Sequence, residues 1–254
     1  MMKTSLFFFL MLSTSIAQAR VFQINSESFA TYLRGTYGMA FTNTVISDSN
    51  TTVAEPITLE DEYKYNFSGE FGFTYASPYM SLRIGGELIR PPEMSGLEGL
   101  NAGGTALYTM KSQTTVFIPK AGFEFHLKRW PTARFFLYTG VGSASLKSAN
   151  TYTLTTTGGT TYSPLTDFTE ELKATALMYE GSFGYEGLLA DATTFVFEAG
   201  YRALDFKELK HTKGVTNFQG TVAEGDVAKN ADGTDRRFNL SNYYFSLAFR
   251  WWLR

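Results

Sequence analysis

The chain has 254 residues, of which 44% are hydrophobic and 16% are aromatic, and it contains no cysteine. This length and apolar content suit one or two ordered domains, and the lack of cysteine excludes disulfides and thiolate metal sites. Charged residues make up only 18% of the chain, below the share of about a quarter that is usual in soluble proteins. The net charge of −2 gives no basic excess, so nucleic acid is not expected as a partner.

The first residues, MMKTSLFFFLMLSTSIAQA, are arranged like a secretory signal peptide. Lys3 precedes an apolar run that is shorter than the roughly 20 residues needed to span a bilayer. Ala17 and Ala19 then supply the small residues of a cleavage site. We expect 1–19 to be a signal peptide and 20–254 to be one exported domain, with a retained membrane anchor as the alternative.

Apolar and polar residues alternate with a period of two through the rest of the chain, which predicts strands rather than helices. The clearest example is YKYNFSGEFGFTY at 63–75, where aromatic rings take every second position except one, which is glycine. Each predicted strand is long enough to cross a bilayer at a tilt. In chain order the eight predicted strands cover 29–41, 63–75, 79–90, 115–128, 133–146, 177–186, 194–202 and 242–251.

Short and long connections between these strands alternate strictly. The short ones contain turn residues such as Pro78, Pro131 and Asp191. Because all long loops then fall at one end, the pattern is typical of an outer-membrane barrel with short periplasmic turns. The predicted short turns cover 76–79, 129–133 and 189–193, and the long loops cover 45–61, 91–114, 147–173 and 206–237.

The aromatic rings are predicted to face lipid and the charges to face the lumen. A Lys or Arg facing lipid at mid-plane would cost roughly 2–4 kcal/mol, and the apolar set is too bulky to fill an eight-stranded lumen. The inward charges are nearly balanced, so they are expected to pair and plug the barrel, with a gated or selective pore as the alternative. The predicted inward network comprises Arg34, Glu70, Arg83, Glu87, Lys120, Glu124, Glu180, Glu198 and Arg202. The predicted aromatic girdle near the turns comprises Tyr75, Phe125, Trp130, Phe135, Tyr185 and Trp251.

With this alternation and loop rhythm, the chain resembles the small eight-stranded outer-membrane proteins of Gram-negative bacteria, of the outer-membrane protein A transmembrane-domain and outer-membrane protein X type. The resemblance covers 29–253 and is architectural. It implies an all-β, eight-stranded, antiparallel, up-and-down transmembrane β-barrel in the outer membrane, in contact with lipid and lipopolysaccharide. It also implies that the barrel-assembly machinery reads the last strand, YYFSLAFRWWLR, although this strand closes on Leu253 and Arg254 instead of an aromatic residue.

No catalytic, cofactor or metal site is expected. Barrel enzymes that remove acyl chains from lipid A resemble serine hydrolases with a His-x-Ser pair, but here His126 is followed by Leu127 and Lys128. We therefore interpret His126 as an inward histidine bonded to Glu or Tyr. His211 lies in a predicted loop, and the spacing identifies no partner for it.

The predicted loops hold the remaining candidates. NADGTD at 230–235 suggests a calcium loop but has Ala228 where an oxygen ligand is needed, so a turn is expected. Asp205 and Asp235 near the outer rim are assigned no chemistry. TYTLTTTGGTTYS at 151–163 predicts a hairpin that extends strands five and six, with exposed edges that could recruit a protein partner by β-augmentation. Acidic residues of the first loop are expected to be solvated, with divalent cations that bridge lipopolysaccharide as the alternative; they are Asp48, Glu55, Glu60 and Asp61.

These features favour a non-enzymatic outer-membrane protein that stabilises the envelope and displays its loops, of which the third is a candidate for adhesion. The first alternative is a narrow channel or a lateral path for small apolar molecules, and the second is an enzyme that modifies lipid A. Bulky side chains on the inward face argue against an open bore; they are Tyr32, Phe136, Tyr138, Met178 and Tyr244.

Overall fold

The computed structural model describes residues 22–40, 45–47, 57–58, 63–230 and 233–253. The predicted signal peptide and the four acidic residues of the first loop lie outside the described residues. A 3-10 turn covers Ile24–Ser26, and one short helix, α1, covers Thr156–Thr161. Within the described ranges, no helix is long and apolar enough to cross a membrane. The strands in chain order are β1 (Phe29–Ala40), β2 (Val45–Ser47), β3 (Ile57–Thr58), β4 (Tyr65–Ala76), β5 (Met80–Arg90), β6 (Met94–Leu100), β7 (Ala106–Arg129), β8 (Ala133–Leu154), β9 (Phe168–Ala190), β10 (Thr193–Phe206), β11 (Lys210–His211), β12 (Val215–Asn217), β13 (Gly220–Val222), β14 (Phe238–Asn239) and β15 (Asn242–Trp252).

Eight of these strands close into a ring in the order β1-β4-β5-β7-β8-β9-β10-β15, and β15 pairs back to β1. Every neighbouring pair in the ring is antiparallel. The register places Arg34 of β1 between Glu70 of β4 and Ala248 of β15. The predicted eight-stranded, antiparallel, up-and-down barrel is therefore confirmed.

Burial alternates along the barrel strands with a period of two. In β4 each second residue from Asn66 to Ala76 is buried, while the aromatic residues between them point outward. Phe71 is 55% exposed on this face, and Phe245 on β15 is 68% exposed. Apolar side chains cover the outside of the wall all the way round, which is far more than the apolar patches found on soluble monomers. The rings thus face lipid and the polar residues face the lumen.

Two residues depart from the predicted alternation. Tyr63 precedes β4 and is completely buried, with its hydroxyl 3.3 Å from Ser112 Oγ and its ring 5.5 Å from that of Phe238. Lys128 follows a register shift between His126 and Lys128, so it points outward, with its ammonium 4.9 Å from the Trp130 ring centroid. In both cases the alternation in the sequence continues, but the hydrogen-bonded strand pairing has ended, at Tyr63, or shifted in register, at Lys128.

Three strands extend well beyond the lipid-facing belt. β7, β8 and β9 have 24, 22 and 23 residues, so much of the predicted loops at 91–114 and 147–173 is strand. The threonines and tyrosines of these segments suit a sheet. We use the term outer platform for β6 together with 106–112 of β7, 148–154 of β8 and 168–173 of β9.

The predicted hairpin extension of strands five and six exists as β8 and β9, but two of its details are wrong. The sequence predicts a turn at Gly158 and Gly159, whereas these residues lie in α1, where the Thr155 hydroxyl caps the helix by accepting from the Gly158 N–H at 3.0 Å. The sequence also predicts exposed edges, but β8 is paired on both sides. β6 covers the far edge of β7, and β11 pairs with part of β9.

The interior is layered along the barrel axis. At the end with the short turns, a small apolar cluster closes the lumen, and the Ile24 N–H donates to the Pro131 carbonyl at 3.0 Å. Charged side chains fill the middle. The half towards the outer platform is a large apolar cluster that we call the outer core. Members of the outer core include Val116, Ile118, Leu146, Ala174, Met178, Leu204 and Phe238.

Candidate functional site

Six cations and six glutamates fill the middle of the lumen, and each is at most 5% exposed. They occupy inward positions of the alternating strands, so the period of two itself brings them together. All nine residues of the predicted inward network belong to this group, which we call the charged layer. Its members are Arg34, Arg83, Lys120, Arg134, Arg202, Arg250, Glu70, Glu87, Glu124, Glu180, Glu186 and Glu198.

Lys120 is the centre of one half of the charged layer. Its Nζ lies 2.8 Å from a carboxylate oxygen of Glu70, 2.8 Å from one of Glu87 and 2.7 Å from one of Glu180. Arg202 also pairs with Glu87, at 2.5 Å. Charges so deeply buried are costly unless they are paired, and here the sharing of carboxylates gives each cation at least one oppositely charged partner.

Arg83 connects the two halves of the charged layer. Its Nη1 lies 2.8 Å from Glu198 and 3.3 Å from Glu124, and its Nη2 lies 3.7 Å from Glu70. Arg34 binds Glu70 at 2.9 Å and approaches Glu198 at 3.5 Å. The ion pairs therefore form one continuous network across the lumen.

The sequence-based network lacks three members of the charged layer, which lie nearer the short turns. Arg134 pairs with Glu186 at 2.6 Å, and Arg250 pairs with Glu186 at 2.9 Å and with Glu124. The alternation of β8, β9 and β15 already places them on the polar face, but the predicted network included only charges at mid-height in the barrel and therefore omitted them. Their inclusion makes the layer neutral, with six charges of each sign.

Aromatic rings pack against the cations of the charged layer. The Arg83 guanidinium lies 4.4 Å from the Tyr138 ring centroid and 5.0 Å from that of Tyr32, distances at which cation–π attraction is favourable. The Tyr32 hydroxyl donates to Glu70 at 2.5 Å. Gly72 and Gly85 leave room for this hydroxyl, because a Cβ at either position would approach it to 2.6 Å. The five bulky inward side chains predicted from the sequence are all buried in the lumen, with Met178 in the outer core.

The six predicted girdle residues lie on the lipid-facing side close to the short turns. Tyr75 is the most exposed of them at 61%. The Phe135 ring lies 5.1 Å from that of Tyr185 and 5.8 Å from that of Trp130. Such clusters suit a membrane interface, where an aromatic body and a polar tip are both satisfied.

His126 has different neighbours from those expected. Its Nε2 lies 2.9 Å from Ser81 Oγ and its Nδ1 lies 3.2 Å from the Pro78 carbonyl, so the predicted Glu or Tyr partner is wrong. The sequence missed Ser81 because the contact joins β7 to β5 rather than neighbours on one strand. Ser81 is completely buried, so its hydroxyl is inaccessible to a substrate in this structure.

The acidic candidates of the outer rim form local ion pairs. Asp205 pairs with Arg237 at 2.6 Å, and Asp235 pairs with Lys229. Asp232 of the turn predicted within 230–235 lies outside the described residues. On either side of it, the Asn230 N–H donates to the Thr234 carbonyl at 2.8 Å and the Gly233 N–H donates to the Asn230 carbonyl at 2.9 Å.

A buried polar cluster within the loops was not foreseen. Glu170 accepts hydrogen bonds from Arg236 at 2.9 Å and from the Asn217 amide at 2.7 Å. Burial alone would raise the pKa of Glu170, but Arg236 and Asn217 lower it below its usual range. His211 is 1% exposed, and burial lowers its pKa. No periodic pattern links these loop residues, so the sequence offered no signal for them.

A cleft of about 740 Å3 opens in the outer wall where β9 and β10 separate. The ladder between these strands ends at the pair Met178 and Leu204, and β10 then pairs with β14. On the same side, β9 next pairs with β11 at Lys173. Residues 174–177 of β9 therefore have ladder partners only on β8. We call this opening the wall cleft.

No family model matches the sequence, and no curated protein sequence matches it. Several solved structures are similar in fold. Ail, the attachment invasion locus protein of Yersinia pestis, is 11% identical with a TM-score of 0.46, covering 89% of this chain and 99% of that one. A major outer membrane protein from Thermus thermophilus is 12% identical with a TM-score of 0.45, covering 87% and 99%. OprG from Pseudomonas aeruginosa is 12% identical with a TM-score of 0.43, covering 90% and 97%. These likenesses concern the fold alone. The closed eight-stranded ring, the apolar outer wall and the paired charges inside it make the chain an outer-membrane-type β-barrel with a charge-paired interior.

Proposed function

We propose that this protein is a non-enzymatic outer-membrane barrel that passes no solute through its lumen and acts at the cell surface through the outer platform. The charged layer is the observation that carries this proposal. An aqueous path would have to separate ion pairs that are completely buried, and removing one partner of such a pair typically costs about 3–5 kcal/mol. Because the twelve charges share partners, opening at one point would disturb several pairs at once.

The outer platform supports a role in surface display. The seven residues of β8 at 148–154 supply about 23 Å of strand at the end of the barrel away from the short turns. The platform has its own aromatic packing: the Tyr152 ring lies 4.6 Å from that of Phe168, and the Tyr108 ring lies 4.9 Å from that of Phe218. Ordered strands can present a fixed surface to a partner at a low entropic cost of binding.

The same proposal includes the surroundings expected from the sequence. The outer belt would contact lipid and lipopolysaccharide, and β15 would be the strand read by the barrel-assembly machinery. The segment 151–163 remains the proposed contact for a protein partner, through the surface of α1 and the adjoining strand ends rather than through an open edge of β8.

The experiment compares the full chain with a variant in which 148–172 is replaced by Asn-Gly. Lys147 and Lys173 are ladder partners, so a two-residue turn joins them in register. Proteoliposomes of either protein should be as impermeable to small sugars as protein-free vesicles. Cells that display the full chain should adhere to matrix-coated surfaces, and cells that display the variant should not. Sugar flux through the full chain that the variant retains would refute the proposal.

A lateral path for small apolar molecules is the second candidate, favoured by the wall cleft. Leu146, Ala174 and Leu204 line the cleft and also belong to the outer core. A shift of these side chains would connect the outer core with the surrounding lipid. Uptake of an apolar fluorescent probe by proteoliposomes of the full chain, without sugar flux, would favour this candidate over surface display alone.

A further inference from the structure

The rim of the wall cleft has an unusual charge pattern. Lys173 of β9 lies directly opposite Lys147 of β8 on one side and Lys210 of β11 on the other. All three side chains are exposed on the outer face. Like charges directly opposite each other on neighbouring strands are destabilising, so this lysine row has a cost unless an anion lies across it.

Three other exposed lysines, on or near the outer platform, are paired with carboxylates. Lys111 pairs with Glu93 at 2.9 Å, Lys213 pairs with Glu171 at 2.5 Å, and Lys229 pairs with Asp235. Within the described part of the chain, no ion pair is formed by the three lysines of the row. The row is therefore a positive patch that the protein's own carboxylates leave uncompensated.

The lining of the wall cleft adds to the positive charge. Lys207 joins the three lysines of the row, whereas the lining contains two carboxylates, Asp205 and Glu208. Asp205 is already paired with Arg237. The cleft therefore attracts anions, although the chain as a whole has a net charge of −2.

On the membrane side of the lysine row, the cleft is lined mainly by small or apolar side chains. Small side chains such as Ala174, Ala176 and Ala203 line it, next to the stretch of β9 that has no ladder partner towards β10. The lysine row and the apolar part of the cleft, which we call the slot, thus follow each other along the same side of the barrel. This combination suits an amphiphile with an anionic head and a hydrocarbon tail.

The height of the site matches the outer leaflet. Leu177, which is 62% exposed, is the outward-facing apolar residue of β9 nearest to the lysine row. It lies four positions from Lys173, on the side towards the membrane. Four residues span about 13 Å along a strand, or about 10 Å along the membrane normal at the tilt usual for such barrels. Lysine side chains can also reach down along the wall, so their ammonium groups would lie in the headgroup layer.

We propose that the wall cleft binds a phosphorylated lipid of the outer leaflet, with a phosphate across Lys147, Lys173 and Lys210 and an acyl chain in the slot beside Ala176. Binding would neutralise the lysine row and cover the unpaired edge of β9. The lysine row lies on the outer face of the barrel, so the proposal rests on the contact with lipopolysaccharide proposed above and not on whether the lumen conducts.

The test measures binding of bis-phosphorylated, hexa-acylated lipid A to the full chain by native mass spectrometry in a neutral detergent. The triple variant Lys147→Gln/Lys173→Gln/Lys210→Gln removes the row. The matched control, Lys111→Gln/Lys213→Gln/Lys229→Gln, removes the same charge from paired sites. With a contribution of about fivefold from each lysine near a membrane surface as a guide, the first variant should bind about 100- to 200-fold more weakly, and the control should be within about threefold of the wild type.

Two further arms separate a lipid site from a simple anion site. Ala176→Phe fills the slot and should weaken lipid A binding while the lysines remain, and inorganic phosphate should not displace the lipid. Heat-modifiable gel migration checks that each variant is folded, and the row variant should be at least as stable as the wild type without lipid. The proposal would be overturned if the two triple variants bound lipid A equally well or if the wild type did not bind it. It would also be overturned if inorganic phosphate displaced the lipid and Ala176→Phe had no effect on binding. If Ala176→Phe does not fold, the two triple variants decide.

Discussion

Replacing Glu70 with alanine removes a carboxylate that serves three cations at once. Glu70 lies 2.9 Å from Arg34, 2.8 Å from Lys120 and 3.7 Å from Arg83, and it also accepts the Tyr32 hydroxyl. The side chain is buried, so its cation partners cannot turn to bulk water when the carboxylate is removed. The substitution leaves the charged layer with one excess positive charge.

The expected cost follows from the partners that remain. Breaking a buried ion pair by deleting one member typically costs about 3–5 kcal/mol. Lys120 keeps Glu87 and Glu180, and Arg83 keeps Glu198. We therefore expect Glu70→Ala to lower the free energy of unfolding by about 3 kcal/mol, near the lower limit of that range.

Urea unfolding of the protein refolded in lipid vesicles measures this free energy. Glu93→Ala is the matched control, because Glu93 pairs with Lys111 at 2.9 Å on the exposed platform, where such pairs contribute at most about 1 kcal/mol. Changing Arg34 and Glu70 together to leucine should cost less than Glu70→Ala, because charge balance is restored. A cost for Glu70→Ala no larger than that for Glu93→Ala, combined with a rise in ion conductance, would refute the reasoning.

Three other perturbations test the platform, the loops and the wall. Replacing α1 by a Gly-Ser linker should leave barrel folding intact by heat-modifiable migration, whereas Tyr152→Ala should expose the platform to protease because it removes a buried ring; protease resistance of Tyr152→Ala would contradict this. Acidification should loosen the loops, because the pKa values of His211 and Glu170 are lower in the folded protein than their ordinary values of 6.5 and 4.5. The stability that each group contributes is fully present above its ordinary pKa and is lost as the pH falls through its lowered pKa. Hydrogen exchange at descending pH measures this, and equal protection of the loops at about pH 7 and about pH 4 would contradict it. Gly122→Ala should destabilise the barrel by about 1–3 kcal/mol, because a Cβ there would lie 2.4 Å from the Thr139 carbonyl oxygen, while Gly35→Ala meets nothing within 4 Å and should be close to neutral in urea unfolding.

The barrel was predictable because its wall obeys one rule. A strand with lipid on one side and a packed lumen on the other must alternate, so residues such as Phe71 and Glu70 reveal their faces directly. The same rule predicts which charges face inward. It does not say which charges meet: the contact of Arg83 with Glu198 joins β5 to β10 across the lumen, and no spacing along the chain encodes it.

The errors occur where local chemistry replaces the alternation. Tyr63 lies just outside β4 and turns inward over the outer core, and the register shift at His126 sends Lys128 outward. The Gly158-Gly159 pair suggested a tight turn, yet the Thr155 cap favours a helical turn. The wall cleft was also hidden, because it depends on β10 leaving β9 to pair with β14, which is a tertiary choice.

Single-channel recording of the refolded full chain in a planar bilayer tests the central claim, a lumen filled by paired charges, most directly. The structure predicts a silent membrane, because ions would have to pass through a neutral layer of twelve buried charges and the aromatic rings packed against them. A steady, ion-selective current that changes with Glu70→Ala would contradict the claim and make the charged layer a selectivity filter.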